Sequence, residues 1–222
     1  MADSTEKPAR KYRQFFENVL FFGIFAVTFY SIFEMKEKVI IFSAPSGSGK
    51  STVVNHLLSL HPEFEFSISA TSRAPRGEEQ DGKEYFFLTA EKFRELIEAD
   101  AFVEYEEVYT DKFYGTLKSE VSRIWAKGNV IVFDVDVKGG VNLKKYFSDK
   151  ALSILIKAPS MEVLRQRLES RGTDTREAIE ERLGKAASEL EFAEGKFDET
   201  IVNDVLEDTF RDAESIVDKF LA

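Results

Sequence analysis

A glycine-rich loop between an apolar run and an amphipathic stretch constrains the fold of this chain more than any other feature. Residues 38–43, Lys-Val-Ile-Ile-Phe-Ser, form the short β-branched run that is typical of a strand buried on both faces. Residues 44–52, Ala-Pro-Ser-Gly-Ser-Gly-Lys-Ser-Thr, follow, and Val54, Leu57 and Leu58 then recur at helical spacing. Strand, glycine-rich loop and helix in this order predict a phosphate-binding loop in an α/β fold with a parallel sheet.

The residue types in this loop suit a nucleoside triphosphate. Gly47 and Gly49 allow the backbone to curl so that successive N–H groups point at phosphate oxygens, and the following helix N-terminus adds partial positive charge. Lys50 is placed to reach the β- and γ-phosphates, and a hydroxyl from the next two residues is placed to face Mg²⁺. The predicted ATP-binding loop comprises Ala44, Pro45, Ser46, Gly47, Ser48, Gly49, Lys50, Ser51 and Thr52.

Composition excludes several other classes of site. The chain has 222 residues, 43% of them hydrophobic, and a formal net charge of -10, which disfavours non-specific nucleic-acid binding. Cysteine is absent, so disulfides and thiolate metal sites are excluded, and a reducing, cytoplasmic location is expected. Because His56 and His61 are the only histidines, a histidine-rich metal site or a Ser-His-Asp triad is not expected.

The first 34 residues differ from the rest of the chain. An apolar run, Val19 to Phe33, follows four basic residues, Lys7, Arg10, Lys11 and Arg13. At about 15 residues the run is shorter than the roughly 20 that span a bilayer. Three interpretations are open: Met35 is the natural start, residues 15–33 contact a membrane as a spanning or interfacial helix, or they pack on the domain as a helix. The first is preferred, because the strand pattern begins directly after Met35.

The segment that follows the first helix indicates the acceptor. It reads Ser-Ile-Ser-Ala-Thr-Ser-Arg-Ala-Pro-Arg-Gly-Glu-Glu-Gln-Asp-Gly-Lys-Glu-Tyr-Phe-Phe over residues 67–87. Two guanidinium groups, those of Arg73 and Arg76, flank Pro75 and can together bind one phosphate dianion. The segment closely resembles the guanylate-kinase signature, and the resemblance extends from about Lys38 to the C-terminus. It implies a kinase that transfers the γ-phosphoryl group of ATP to GMP with Mg²⁺.

The resemblance also implies which residues bind GMP. It assigns the GMP phosphate to Arg73, Arg76, Tyr85 and Tyr114, and it places Ser69, Thr116 and Asp136 near the base. Residues 102–105, Phe-Val-Glu-Tyr, match the family's apolar-acid-aromatic pattern, so Glu104 is expected to read guanine. A carboxylate accepts hydrogen bonds from both the N1–H and the N2 amine of guanine, whereas the lone pair on N1 of adenine would repel it. The related nucleotide dGMP is also expected as an acceptor.

Further site residues follow a second buried run, residues 129–136, which ends in two acids. An acid at the tip of such a strand helps to hold Mg²⁺ or to place the acceptor. Asp134, with Ser51, is the predicted Mg²⁺ site, and Asp136 is predicted to serve catalysis and GMP. Their division of roles is open, as is the effect of Lys138, which stands where the family often has glutamine. By resemblance the remaining candidates are Arg171 and Arg182 for catalysis, and Arg167 and Asn203 for ATP.

These patterns together predict a three-layer α/β P-loop kinase. Its parallel core would comprise residues 38–66, 117–170 and 187–222, with a small mixed GMP-binding insert over 67–116 and a helical lid over 171–186. Two alternative functions fit parts of this pattern. An adenylate or other monophosphate kinase is disfavoured by Glu104, and a non-catalytic phosphopeptide-binding module of the same fold is disfavoured by the intact Lys50 and Asp136. The oligomeric state is not predicted.

Overall fold

The computed structural model describes residues 37–170, 172 and 174–222. The expectations for residues 1–34, and the assignment of Arg171, lie outside these residues. The described part of the chain contains seven α-helices and two β-sheets. Within it, the structure has no helix whose length and apolar character would suffice for a bilayer span.

The larger sheet has five parallel strands in the part of the chain that the structure describes. Their order is β2-β7-β1-β8-β9. The strands are β1 (Val39–Ser43), β2 (Phe64–Phe66), β7 (Val130–Val135), β8 (Ala151–Lys157) and β9 (Glu199–Val202). The predicted α/β fold with a parallel core is thereby confirmed.

Helices cover both faces of this sheet because alternate residues of each strand point to opposite sides. From β1, Ile40 and Phe42 pack with α1 (Lys50–Leu60) and α7 (Leu206–Leu221), whereas Ile41 packs with α3 (Lys118–Ala126) and α4 (Val137–Phe147). β1 is buried along its whole length, as its β-branched composition predicted. Its carboxyl end opens at the edge where ligands bind in sheets of this kind.

The smaller sheet is mixed and has four strands within the described residues, in the order β4-β3-β6-β5. They are β3 (Ala70–Thr71), β4 (Phe86–Phe87), β5 (Phe102–Tyr109) and β6 (Lys112–Leu117), and α2 (Ala90–Glu98) packs on them through Phe93. The close pairing of β5 and β6 requires a glycine at position 115, because a Cβ there would lie 2.7 Å from the carbonyl oxygen of Glu104.

Two further helices pack together beside the phosphate loop. They are α5 (Met161–Ser170) and α6 (Arg176–Ala193), joined by a cluster of Leu164, Leu168, Ile179, Leu183 and Ala186. A Cβ added at Gly47 would lie 3.0 Å from both Leu164 and Leu168, so α5 packs directly on the loop. The division into core, insert and lid at the boundaries given above stays a prediction.

Candidate active site

The phosphate loop follows β1 and ends where α1 begins. Gly47 and Gly49 have φ values of 94° and 88°, a left-handed conformation that side chains rarely adopt. A Cβ on Gly49 would also overlap the side-chain amide of Asn203. These two constraints explain why the loop carries glycine at both positions. The loop lines a cavity of about 460 Å³.

Lys50 and Ser51 connect the loop to the neighbouring strand β7. The Lys50 ammonium forms an ion pair with Asp134 and donates a 2.6 Å hydrogen bond to the carbonyl oxygen of Val135. The Ser51 hydroxyl donates to the other carboxylate oxygen of Asp134 at 3.3 Å. The cation, hydroxyl and carboxylate predicted to handle phosphate and Mg²⁺ therefore lie together at the carboxyl ends of β1 and β7.

Asp136 lies one residue beyond β7 and caps α4. Its carboxylate accepts a 2.8 Å hydrogen bond from the backbone N–H of Gly139, and its carbonyl oxygen accepts one from the Ser43 hydroxyl at 3.1 Å. A side chain at Gly140 would overlap that same hydroxyl, which explains the second glycine of the helix. Asp136 lines both the cavity of the phosphate loop and the cavity that contains Glu104.

Asn203, directly after β9, supports the loop from the same edge of the sheet. Its side-chain nitrogen donates 2.8 Å to the carbonyl oxygen of Ser48, and its side-chain oxygen accepts from the Thr209 hydroxyl. Arg167 in turn donates 2.8 Å to the carbonyl oxygen of Asn203. Among the described residues, the other terminal nitrogen of Arg167 and the Ser48 hydroxyl are buried without a hydrogen-bond partner. Both are donors that a bound nucleotide could satisfy.

Arg182 of α6 reaches the phosphate loop. Its guanidinium donates 2.9 Å to the Ser46 hydroxyl and 3.1 Å to the carboxylate of Asp174. Lys185 and Glu189 lie on the same face of α6 and line the same cavity. Burial raises the pKa of the half-buried Glu189, and the negative charge of Asp136 adds to this effect against the opposing Lys185. Sequence reasoning missed these two residues, although their spacing from Arg182 puts them one and two turns along one helical face.

The second cavity, about 280 Å³ in volume, lies beside the smaller sheet. It is lined by Ser69, Tyr85, Glu104, Glu106, Val108, Tyr114, Gly115, Asp134, Val135, Asp136 and Gly139. Glu104 and Thr116 lie opposite each other on β5 and β6, and the Thr116 hydroxyl donates 3.0 Å to the Glu104 carboxylate. Burial raises the pKa of Glu104 to about 7. The negative charges of Asp136 and Glu106 also raise it, whereas the hydrogen bond from Thr116 lowers it.

The predicted phosphate-binding arginines lie in the loop that follows β3. Arg73 makes two hydrogen bonds with Glu79, at 2.6 and 2.8 Å, and its guanidinium lies 4.8 Å from the ring centroid of Tyr85. Glu79 also accepts 2.8 Å from the backbone N–H of Arg76. Glu79 holds the pKa of the Arg73 guanidinium above its ordinary value. Sequence reasoning missed Glu79. Its position three residues after Arg76, in a loop with two arginines, is the signal that could have indicated it.

Lys138 lies beside the second cavity. Its ammonium approaches Glu106 at 3.5 Å, and its side chain is largely exposed. Most of the predicted site residues that the structure describes thus line one or both of two cavities with a common wall. Arg73 and Arg76 instead line a separate cavity, and Thr116, Arg167 and Asn203 line none of the three. Each predicted role stays a prediction.

Comparison with known proteins gives the family. The model of the family described as "Guanylate kinase" matches residues 36–220. Among curated proteins, guanylate kinase from Bacteroides fragilis is 56% identical over 184 residues, covering 83% of this chain and 90% of its own length. Guanylate kinase from Bacteroides thetaiotaomicron is 54% identical over 200 residues, covering 90% and 97%. The crystal structure of guanylate kinase from Anaplasma phagocytophilum matches with a TM-score of 0.63 at 30% identity, covering 82% and 85%.

Proposed function

This chain belongs to the guanylate kinase family, and on that premise we propose how its own residues carry out the family's reaction. The chain transfers the γ-phosphoryl group of ATP to GMP, giving ADP and GDP. One observation supports the division of labour below: Tyr85, Asp134, Val135 and Asp136 line both the phosphate-loop cavity and the Glu104 cavity. Donor and acceptor phosphates bound in the two cavities would meet at this common wall.

ATP occupies the phosphate-loop cavity in this proposal. The backbone N–H groups of residues 44–52 and the N-terminus of α1 face its phosphates. Lys50 exchanges its contact with Asp134 for the β- and γ-phosphate oxygens. Arg182 gives up its hydrogen bonds to Ser46 and Asp174 and contacts the transferring phosphoryl group instead. There it stabilises the negative charge that is spread over the phosphoryl oxygens. Arg167, which donates to the carbonyl oxygen of Asn203, offers its unpaired N–H to the nucleotide.

The oxygen ligands at the end of the phosphate loop suit Mg²⁺. Mg²⁺ prefers oxygen ligands and usually keeps several waters beside one or two carboxylates and substrate phosphates. The Ser51 hydroxyl and the Asp134 carboxylate supply such oxygens, which lie 3.3 Å apart. When bound, the ion would neutralise charge on the phosphates. Asp134, released from Lys50 by the incoming phosphates, would orient its water shell.

GMP occupies the cavity beside the smaller sheet. Glu104 accepts the two parallel donors of guanine, while Ser69, Thr116 and Asp136 surround the base. None of these contacts uses the ribose 2′-hydroxyl, so dGMP is proposed as a second acceptor. The GMP phosphate meets Arg73, Arg76, Tyr85 and Tyr114. Because Glu79 accepts one hydrogen bond from each of the two terminal nitrogens of Arg73, it fixes the plane of the guanidinium before GMP arrives.

No side chain is required as a strong base. Phosphoryl transfer of this type depends on in-line positioning and on neutralisation of charge, which the arginines and Lys50 supply. Closure of the proposed insert (67–116) and lid (171–186) over the core would exclude water from the transferring group. A cytoplasmic location, where ATP is available, is proposed on the same grounds.

Arg76 gives a direct test of the acceptor site. Its replacement by methionine should raise the KM for GMP about 10- to 100-fold, the scale of one charge-assisted bond, and leave the KM for ATP within about twofold. Arg94→Met is the matched control, since Arg94 also lies in the 67–116 segment and pairs with a carboxylate, that of Asp111. Equal losses for both substrates, or equal effects in both variants, would refute the assignment.

A further inference from the structure

The chain passes between its two sheets at two places that lie side by side. The first passage, residues 67–69, connects β2 of the larger sheet to β3 of the smaller one. The second passage lies at the junction of β6 and α3, where Leu117 is followed by Lys118. Any movement of the smaller sheet relative to the larger one must bend the backbone at these passages.

Glu120, in the first turn of α3, connects the two passages. Its carboxylate accepts a 3.1 Å hydrogen bond from the backbone N–H of Ile68, in the first passage. The same carboxylate accepts two hydrogen bonds from Arg123, at 2.7 and 2.8 Å. The Glu120 side chain is only 2% exposed. A buried carboxylate of this kind is costly unless it is fully paired, and here each oxygen has a partner.

Arg123 extends the connection to the larger sheet. Its remaining terminal nitrogen donates 2.5 Å to Glu65 of β2. Glu65 also accepts from Lys127 at 2.8 Å and from Asn129 at 2.7 Å, at the start of β7. Although burial opposes it, these hydrogen bonds lower the pKa of Glu65 to about 2, so Glu65 stays charged at any pH where the protein works.

We propose that Glu120 and Arg123, held by Glu65, are positioning residues for GMP. They fix the backbone at both passages, so that the side chains which line the GMP cavity face one another at the correct distance. Ile68 is directly followed by Ser69, and Glu120 lies four residues beyond Thr116, the partner of Glu104. None of the three charged residues lines the GMP cavity. The inference rests on the proposed location of GMP in that cavity.

The effect should fall on GMP and spare ATP. Apart from Tyr85, the ATP cavity is lined by the phosphate loop, by residues 134–136 at the end of β7 and by α6, all of which lie outside the smaller sheet. A displacement of about 1 Å in a substrate-positioning group, even one far from the chemistry, can cost about 10²-fold. A cluster of charged residues that served only the stability of the fold would instead reduce the amount of folded protein and leave the KM values of the folded fraction unchanged.

Glu120→Gln is the test variant, since it keeps the side-chain shape and one acceptor for the Ile68 N–H but removes the ion pair with Arg123. The full-length variant should show a KM for GMP raised about tenfold and GMP binding weakened equally in calorimetry without ATP, with the KM for ATP within about twofold. The matched control is Asp198→Asn. Asp198 likewise accepts from a backbone N–H and a cation, those of Ser153 and Lys144, but it lies outside the passages.

A KM for GMP within about twofold of wild type in folded Glu120→Gln, or equal rises for GMP and ATP, would overturn the proposal. If Glu120→Gln does not fold, Glu65→Gln replaces it, because it removes the ion pairs of β2 with Arg123 and Lys127 and leaves the contacts of Glu120 in place. It should raise the KM for GMP about threefold, and no change would overturn the proposal. Glu104→Gln is measured in parallel. If that variant leaves GMP binding intact, the proposed location of GMP in the Glu104 cavity is wrong, whatever the result for Glu120→Gln.

Discussion

Replacing Glu104 by glutamine changes the recognition of the base and little else. The two side chains have the same shape, so the Thr116 hydroxyl keeps an acceptor and the pairing of β5 with β6 is preserved. One carboxylate oxygen becomes an amide nitrogen, which is a donor. In the GMP complex this donor would face a donor of guanine.

The expected loss follows from the hydrogen bonds involved. A hydrogen bond to a charged group contributes about 1.5–3 kcal/mol, and leaving a buried donor unsatisfied costs about 1–3 kcal/mol more. Their sum, about 2.5–6 kcal/mol, corresponds to a decrease of about 10²- to 10⁴-fold in kcat/KM for GMP. Turnover of AMP should stay the same or rise slightly, because the repulsion between the carboxylate and the N1 lone pair of adenine is removed.

The assay compares kcat/KM for GMP and AMP in wild type and variant at pH 8, above the pKa of about 7 for Glu104. The KM for ATP serves as an internal control, and Glu98→Gln, the same substitution at an exposed position of α2, is the matched variant. A GMP-to-AMP ratio within about threefold of wild type, less than about 0.7 kcal/mol, would refute the reasoning. Selection of guanine would then have to depend on Ser69, Thr116 and Asp136.

Four other expectations follow from the structure. In wild type, kcat/KM for GMP should rise as pH increases through about 7, because guanine needs the ionised Glu104; a flat profile between pH 6 and 8 would contradict this. Folding raises the pKa of Glu104 from 4.5 to about 7, so ionisation of this carboxyl destabilises the folded state. In urea unfolding, the free energy of unfolding of wild type should fall by about 3 kcal/mol relative to that of Glu104→Gln as pH rises from 4 to 8. Parallel pH curves for the two proteins would count against this. Lys50→Ala should keep the circular dichroism spectrum and lower kcat by about 10³-fold, whereas near-normal turnover would remove Lys50 from catalysis. Gly49→Ala should abolish detectable ATP binding in calorimetry, because its Cβ overlaps the Asn203 amide; unchanged affinity would show that the loop tolerates the displacement.

The sequence predicted best the features that are local in the chain. Strand, phosphate loop and helix lie within residues 38–61, and the β-branched run, the glycines and the helical spacing each indicate the same structure. For the same reason the parallel core was predictable from its buried apolar runs. The prediction that Glu104 binds guanine depended on the resemblance to guanylate kinases, because a lone acid on a strand does not by itself indicate guanine.

Contacts between distant residues were not predictable from the sequence. The amide of Asn203 holds Ser48 across 155 positions, and Arg123 holds Glu65 across 58. Such pairs depend on the packing of whole helices and strands, which periodicity does not specify. Glu120 in particular lies on an amphipathic helix where a solvated acid would be the ordinary expectation, yet it is buried. The role predicted for Arg171 lies outside the described residues.

The most direct test of the account is a product assay with purified protein, ATP and Mg²⁺ and each of GMP, AMP, CMP and UMP in turn. We predict ADP and GDP in equal amounts from ATP and GMP, with kcat/KM for GMP exceeding that for AMP by roughly 10⁴-fold, the discrimination typical of a site built to pair with particular polar groups. AMP turnover equal to GMP turnover, or ADP formed without GDP, would contradict the claim that this site transfers the phosphoryl group to a selected guanine nucleotide.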